Sequence, residues 1–193
     1  MYFILLLILA FCMSMLSYEF IYTHYLHLLK RKNYKIIFLY TVMNFFGLLT
    51  CIDITNIIAT LNIINILICL GFISTMDFYT KKIPNNLNTL LFLFTIAQLF
   101  IKNVIFIDHF LAFIIFGFIL TVVFFISNDF GFGDVKLIAI CALLLGGKQI
   151  TIALIIACLL FVFSTAILHG KKRRTAFGPY ICIGTIFAMS NIL

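Results

Sequence analysis

Phe130-Gly131-Phe132-Gly133-Asp134-Val135-Lys136 puts a carboxylate at the point where a glycine-rich turn gives way to an apolar helix. An apolar run from His109 to about Ser127 leads into this stretch, and Asp134 to Leu145 continues it. The chain has 193 residues, 65% of them hydrophobic and 10% charged, so each acid in an apolar setting needs a partner or a task. Soluble domains are about 45–50% apolar and about 25% charged. Too little polar surface remains here to cover a water-soluble core. The composition implies an all-α, polytopic transmembrane helix bundle, in a single domain over 1–193. Long continuous apolar runs, rather than alternating segments of about ten residues, argue against a barrel.

Working outward from that turn gives about eight membrane segments. They are Met1 to about Leu29, Ile36 to about Ile52, Ile57 to about Thr75, Leu87 to Ile101, His109 to about Ser127, Asp134 to Leu145, Ile150 to Leu168, and Tyr180 to Leu193. The sixth is short for a full crossing, which takes about 20 residues. Its flanks extend it or the other helices bury it. Met1 to Leu29 has no basic leader and no obvious small-residue cleavage site, so it reads as a retained helix. Asn62 and Asn65 are expected to bond between helices, because an unpaired amide in lipid is costly.

The net charge of +7 is explained by the membrane rather than by nucleic acid. With the N-terminus outside, the inside loops hold Lys30, Arg31, Lys32, Lys35, Lys81, Lys82, Lys136, Lys171, Lys172, Arg173 and Arg174. Of the 13 basic residues, only Lys102 and Lys148 are then left outside. This alternation puts Asp134 and one other acid, Asp77, on the same cytoplasmic side. The six cysteines (Cys12, Cys51, Cys69, Cys141, Cys158 and Cys182) include no C-x-x-C pair and read as small buried hydrophobes. Glu19, His24 and His27 fall at the end of the first segment, where such residues sit near the interface or in helix contacts.

Asp77 lies in Thr75-Met76-Asp77-Phe78-Tyr79-Thr80-Lys81-Lys82-Ile83-Pro84-Asn85, a loop that Pro84 closes into the fourth segment. Taken singly, Asp134 is a helix N-cap and Asp77 a loop acid near Lys81 and Lys82. Taken together, two carboxylates at one depth form a dyad. Held about 3 Å apart in a site poor in water, they share a proton. One accepts a proton from water while the other donates to the substrate. Gly131 and Gly133 are expected to give the turn unusual dihedrals and to let another backbone approach. H-E-x-x-H and G-x-S-x-G are both absent, which leaves zinc and serine chemistry without support.

Asp77 with Ile83-Pro84-Asn85, then Gly131-Phe132-Gly133-Asp134-Val135-Lys136-Leu137, then Phe177-Gly178-Pro179 with Gly184, resembles the type IV prepilin peptidases. These are GxGD-type aspartic proteases of the bacterial cytoplasmic membrane. The resemblance covers roughly 71–184, the expected catalytic core, and is weak over 1–56. It implies Asp77 and Asp134 as the catalytic pair. Gly131, Gly133, Lys136, Pro84, Asn85, Phe177, Gly178 and Pro179 are implied to shape the turns and the substrate site. The substrates implied are prepilins or pseudopilins, with a short basic leader ahead of an apolar helix, cleaved on the cytoplasmic side.

The chain departs from that pattern at Thr175-Ala176, where Ile-Pro is common. It departs also at Lys30 to Lys35, where many members carry a large insert with paired C-x-x-C motifs linked to N-methylation. A peptidase without methyltransferase activity, metal or cofactor is therefore expected. A proton- or ion-coupled transporter is the alternative from another class. It calls for acids at the midplane and a two-fold helix repeat, whereas these acids lie at the membrane face and no repeat is visible. A presenilin-like protease would carry Tyr before its first Asp, and here Met76 stands there.

Overall fold

Backbone N–H and C=O groups in lipid have no water to pair with, so apolar runs of this length close their hydrogen bonds along a helix. The computed structural model describes residues 57–103, 106–126, 131–167 and 176–189, and all their regular structure is helical. The helices are α1 (Ile57–Thr80), α2 (Asn85–Lys102), α3 (Phe106–Ile126), α4 (Phe132–Leu145), α5 (Gly147–Ile167) and α6 (Gly178–Met189). They correspond to the third through eighth expected segments. The first two segments, the basic loops at Lys30–Lys35 and Lys171–Arg174, and Asp53 and Asp129 lie outside the described residues. Ile58–Thr80, Phe106–Ile126 and Gly147–Ala166 are each long and apolar enough to cross a membrane.

The short helix is the centre of the bundle. α4 has 14 residues, about 21 Å of rise, and buries Val135 and every residue from Leu137 to Leu145. Helices α2, α3, α5 and α6 pack around it. Its core partners include Ile66, Leu67 and Leu70 of α1, Leu91 of α2, and Ile181 and Ile186 of α6. α3 turns Phe118, Phe125 and Ile126 outward, as a lipid-facing helix does. Small residues set the closest approaches. Gly184 of α6 lies against the backbone of Ala153 on α5, and Gly117 of α3 lies against Ala139 of α4.

One buried amide pair ties two helices together inside the bundle. Asn62 on α1 donates to the Phe94 carbonyl and to Gln98 Oε1 on α2, both at 2.9 Å, as expected of an amide in this setting. Asn65 instead lies on the exposed face of α1.

The helix ends show where the sequence reading needs correction. α1 runs on past Thr75 through Asp77 to Thr80, so Asp77 stands on the last turn of a helix rather than in a loop. Lys81 then takes a left-handed φ of 54° and donates its N–H to the Asp77 carbonyl, closing the helix. The break after α4 is Gly146 alone, with φ 78°, and α5 starts at Gly147 rather than at Ile150. A side chain at Gly146 would strain that backbone and meet the His109 ring. His109 Nδ1 donates to the Leu143 carbonyl at 2.8 Å, pinning the start of α3 to the end of α4.

Candidate active site

Asp77 is buried, at 5% exposure, and is the one charged residue of its helix. Its partner comes from the far end of the chain. Pro179 suits the first turn of α6, where a missing N–H costs nothing, and Gly178 opens the helix with its own N–H free. That N–H donates to Asp77 Oδ2 at 2.8 Å. A methyl group on Gly178 would fall 2.7 Å from the same oxygen, so only glycine admits the carboxylate. Asp77 thus sits on the positive end of the α6 dipole. Phe177, just outside the helix, anchors this entry through an edge-on contact with Phe161 of α5. Tyr180 repeats the contact one turn on and shares a hydrogen bond with Ser164 at 2.6 Å.

Asp134 stands in the first turn of α4, with its N–H donating to the Gly131 carbonyl at 3.0 Å. Gly131 has φ −81° and ψ 133°, extended backbone open to any residue, and Gly133 is not among the residues with positive φ. The expected unusual dihedrals are therefore not what these glycines supply. They supply close approach. A methyl group on Gly131 would lie 3.1 Å from Asp134 Oδ2, and one on Gly133 would lie 3.2 Å from Ile83 Cβ.

The Gly133–Ile83 contact joins the two sequence motifs. Pro84 caps the start of α2 with φ −64°, and Asn85 follows as its first residue. Asn85 Oδ1 accepts from Lys136 Nζ at 3.0 Å, while the same ammonium lies 4.9 Å from the centre of the Phe132 ring. The Ile83-Pro84-Asn85 loop is thereby laid against the glycine-rich turn at two points.

Asp77 and Asp134 come within electrostatic reach of one another. Gly178 places the start of α6 beside Asp77, and Cys182 is buried one turn further along that helix. Asp134 Oδ1 is buried without a hydrogen-bond partner, whereas Asp77 Oδ2 is held by Gly178. One acid is fixed in place and the other keeps an oxygen open, and that asymmetry suits a group that must engage water or a carbonyl. Asp108, by contrast, is exposed in the first turn of α3, by the far end of α4.

One residue at this end of the bundle escaped the sequence reading. Asn88, one turn after Asn85, is 3% exposed, and neither oxygen nor nitrogen of its amide has a partner. Its only signal was its place one turn beyond Asn85, on a helix that also carries Asn86, Thr95 and Gln98.

No curated protein and no solved structure matches the chain. A family model does match it, over residues 64–166, just over half of the sequence and the part that carries both aspartates, the Ile83-Pro84-Asn85 loop and the glycine-rich turn. The chain belongs to the type IV leader peptidase family.

Proposed function

We propose that this membrane peptidase is an aspartic endopeptidase that removes the short basic leader from prepilin-like proteins at the cytoplasmic membrane face, with Asp77 and Asp134 as its catalytic pair. The observation that supports the reading is a buried carboxylate, Asp77, held by the N-terminal N–H of α6, with a second carboxylate, Asp134, in the first turn of the buried helix α4 and within electrostatic reach of it. A low-dielectric site makes such groups costly unless they have work to do.

The chemistry follows from what each oxygen can do. A water bound between the carboxyl groups loses a proton to the ionised member as its oxygen attacks the scissile carbonyl carbon. The protonated member gives its proton to the carbonyl oxygen, leaving a neutral tetrahedral diol. Collapse of the diol returns a proton to the pair and delivers one to the nitrogen as the carbon–nitrogen bond breaks. Protons balance, and the dyad ends as it began. The Gly178 N–H orients Asp77 before substrate binds, which reduces the reorganisation needed at the moment of attack.

The orientation rests on charge. Eight segments with both termini outside gather Lys81, Lys82, Lys136 and Lys171 to Arg174 on the cytoplasmic side, with both aspartates. A substrate whose leader is basic and whose next segment is an apolar helix, a prepilin or pseudopilin, would present its junction at that depth. No methyl transfer is assigned, because six residues, Lys30 to Lys35, are too few to build a pocket for a nucleotide-sized methyl donor, about 300–1,000 Å³. Co-expression with a prepilin, followed by mass spectrometry of its N-terminus, tests the reading. Leader removal without methylation, in the presence of a chelator, is expected. An intact leader contradicts the peptidase assignment, and a methylated product from purified protein contradicts the assignment of a single activity.

A further inference from the structure

A groove of about 540 Å³ lies between α2, α3 and α4, walled by Phe92, Phe113, Gly117, Phe132 and Ala139, with Asn88 in its lining. The other polar side chains in that lining each have a hydrogen bond. The hydroxyls of Thr89 and Thr121 donate to carbonyls of their own helices, and Lys136 is bonded to Asn85. The Asn88 amide alone keeps both a donor and an acceptor unspent, at 3% exposure. Buried amides without partners are rare in folded proteins, and an apolar groove leaves this one nothing to bond but an occupant.

We infer that this groove binds the apolar residues that follow the scissile bond of the substrate, in non-helical form, with one of their peptide units paired to Asn88. The inference rests on the peptidase reading and adds where the substrate lies. An acyl chain would fill the apolar walls but offers nothing to the amide. An intact helix, from a second copy or from a folded substrate, has its backbone groups already spent. An unwound peptide presents one N–H and one C=O per residue, the complement of an Asn side chain. A protease needs its substrate in that state, since a peptide bond inside a helix has its carbonyl and N–H engaged. Phe132, Val135 and Lys136 of the lining flank Asp134 on α4, which brings the groove to the end of the helix that carries the acid. The Lys136 ammonium at this end disfavours a basic leader, so the apolar side of the junction is the one that enters.

Two measurements on the full-length protein in detergent or nanodiscs test this. The first replaces Asn88 by leucine, which has the same number and branching of side-chain heavy atoms, a somewhat larger volume and no polar atoms. Asn88→Leu is expected to raise KM for a prepilin-like peptide by about tenfold, the loss of one or two hydrogen bonds, with little change in kcat. Its thermal midpoint should not fall, because the change removes two buried unpaired groups. The second puts a photoreactive phenylalanine analogue at Phe113 in an Asp77→Asn background. A cross-link to substrate residues just after the scissile bond is expected. Unchanged KM with a lowered midpoint makes Asn88 a structural residue and overturns the inference, as does cross-linking to lipid alone or to the leader. If these fail while the unmodified protein still cleaves, only the groove is lost. If the unmodified protein does not cleave at all, the peptidase reading and the inference fall together.

Discussion

The backbone N–H of Gly178 donates to Oδ2 of Asp77 across 101 residues of sequence, at 2.8 Å, and the space a methyl group would need at Gly178 is filled by that carboxylate. A glycine and an acid are thus fitted to each other at the meeting of α1 and α6. Gly178→Ala sets a Cβ 2.7 Å from Oδ2 and 3.1 Å from Asp77 Cγ, and a buried side chain has little room to retreat. A displacement of about 1 Å at a reacting group costs on the order of a hundredfold in rate, and a loss of that size in kcat is expected. Alanine is a better helix former than glycine, so thermal unfolding should change far less than activity. Paired cleavage and unfolding assays on the purified variant check this.

Gly146 and Gly147 are neighbours with opposite requirements. Gly146 has φ 78° and ψ 172°, a region left almost entirely to glycine, and a methyl group there would also meet the His109 ring at 3.3 Å. Gly146→Ala is expected to cost about 1–3 kcal/mol of stability. A methyl group on Gly147 has nothing within 4 Å and begins a helix. Gly147→Ala should be neutral or stabilise by up to about 1 kcal/mol. Thermal midpoints of the two variants, measured side by side, are expected to move apart.

The α5–α6 crossing depends on Gly184. A methyl group there would collide with the Ala153 carbonyl oxygen, a backbone atom that moves only if the whole helix moves. Gly184→Ala is therefore expected to destabilise by about 1–3 kcal/mol. Because α6 carries Gly178, its displacement should also lower cleavage. A double change of Gly178 and Gly184 to alanine should lose less activity than the two single effects multiplied, since both act through the position of α6.

The orientation is open to a direct test. Reporter fusions after Lys102 and after Lys148 should read as outside, and fusions after Lys82 and after Lys172 as inside, following the basic-residue alternation. A Lys172 fusion reading as outside breaks the eight-segment topology and the common depth of the two acids.

The described helices were legible because lipid makes hydrophobicity nearly sufficient: an apolar run long enough to cross must close its own backbone hydrogen bonds. What the sequence could not show was information held between segments. Asp77 looked like a loop residue because a carboxylate ends an apolar run, and only Gly178, far along the chain, gives it a place on the helix. Gly131 and Gly133 announced themselves as special, but the reason assigned was dihedral freedom, whereas the space is used by Asp134 and Ile83. The two motifs were readable as motifs. That the Lys136–Asn85 bond and the Gly133–Ile83 contact would join them was not, since neither residue type names its partner. Asn88 passed unnoticed for a related reason: an amide in an apolar helix is usually satisfied by a neighbour, as Asn62 is, and nothing local distinguishes the one that is not.

The central claim is that Asp77 and Asp134 form one proton-sharing unit. The measurement is cleavage of a prepilin-like substrate by the purified Asp77→Asn, Asp134→Asn and doubly substituted proteins, each checked for folding by thermal unfolding. Groups that act as a unit are strongly non-additive, so each single change should abolish cleavage and the double change should be no worse than either. Asp108→Asn, an exposed acid at the far end of the bundle, should retain most activity. Substantial cleavage by a folded Asp77→Asn or Asp134→Asn protein would contradict the dyad.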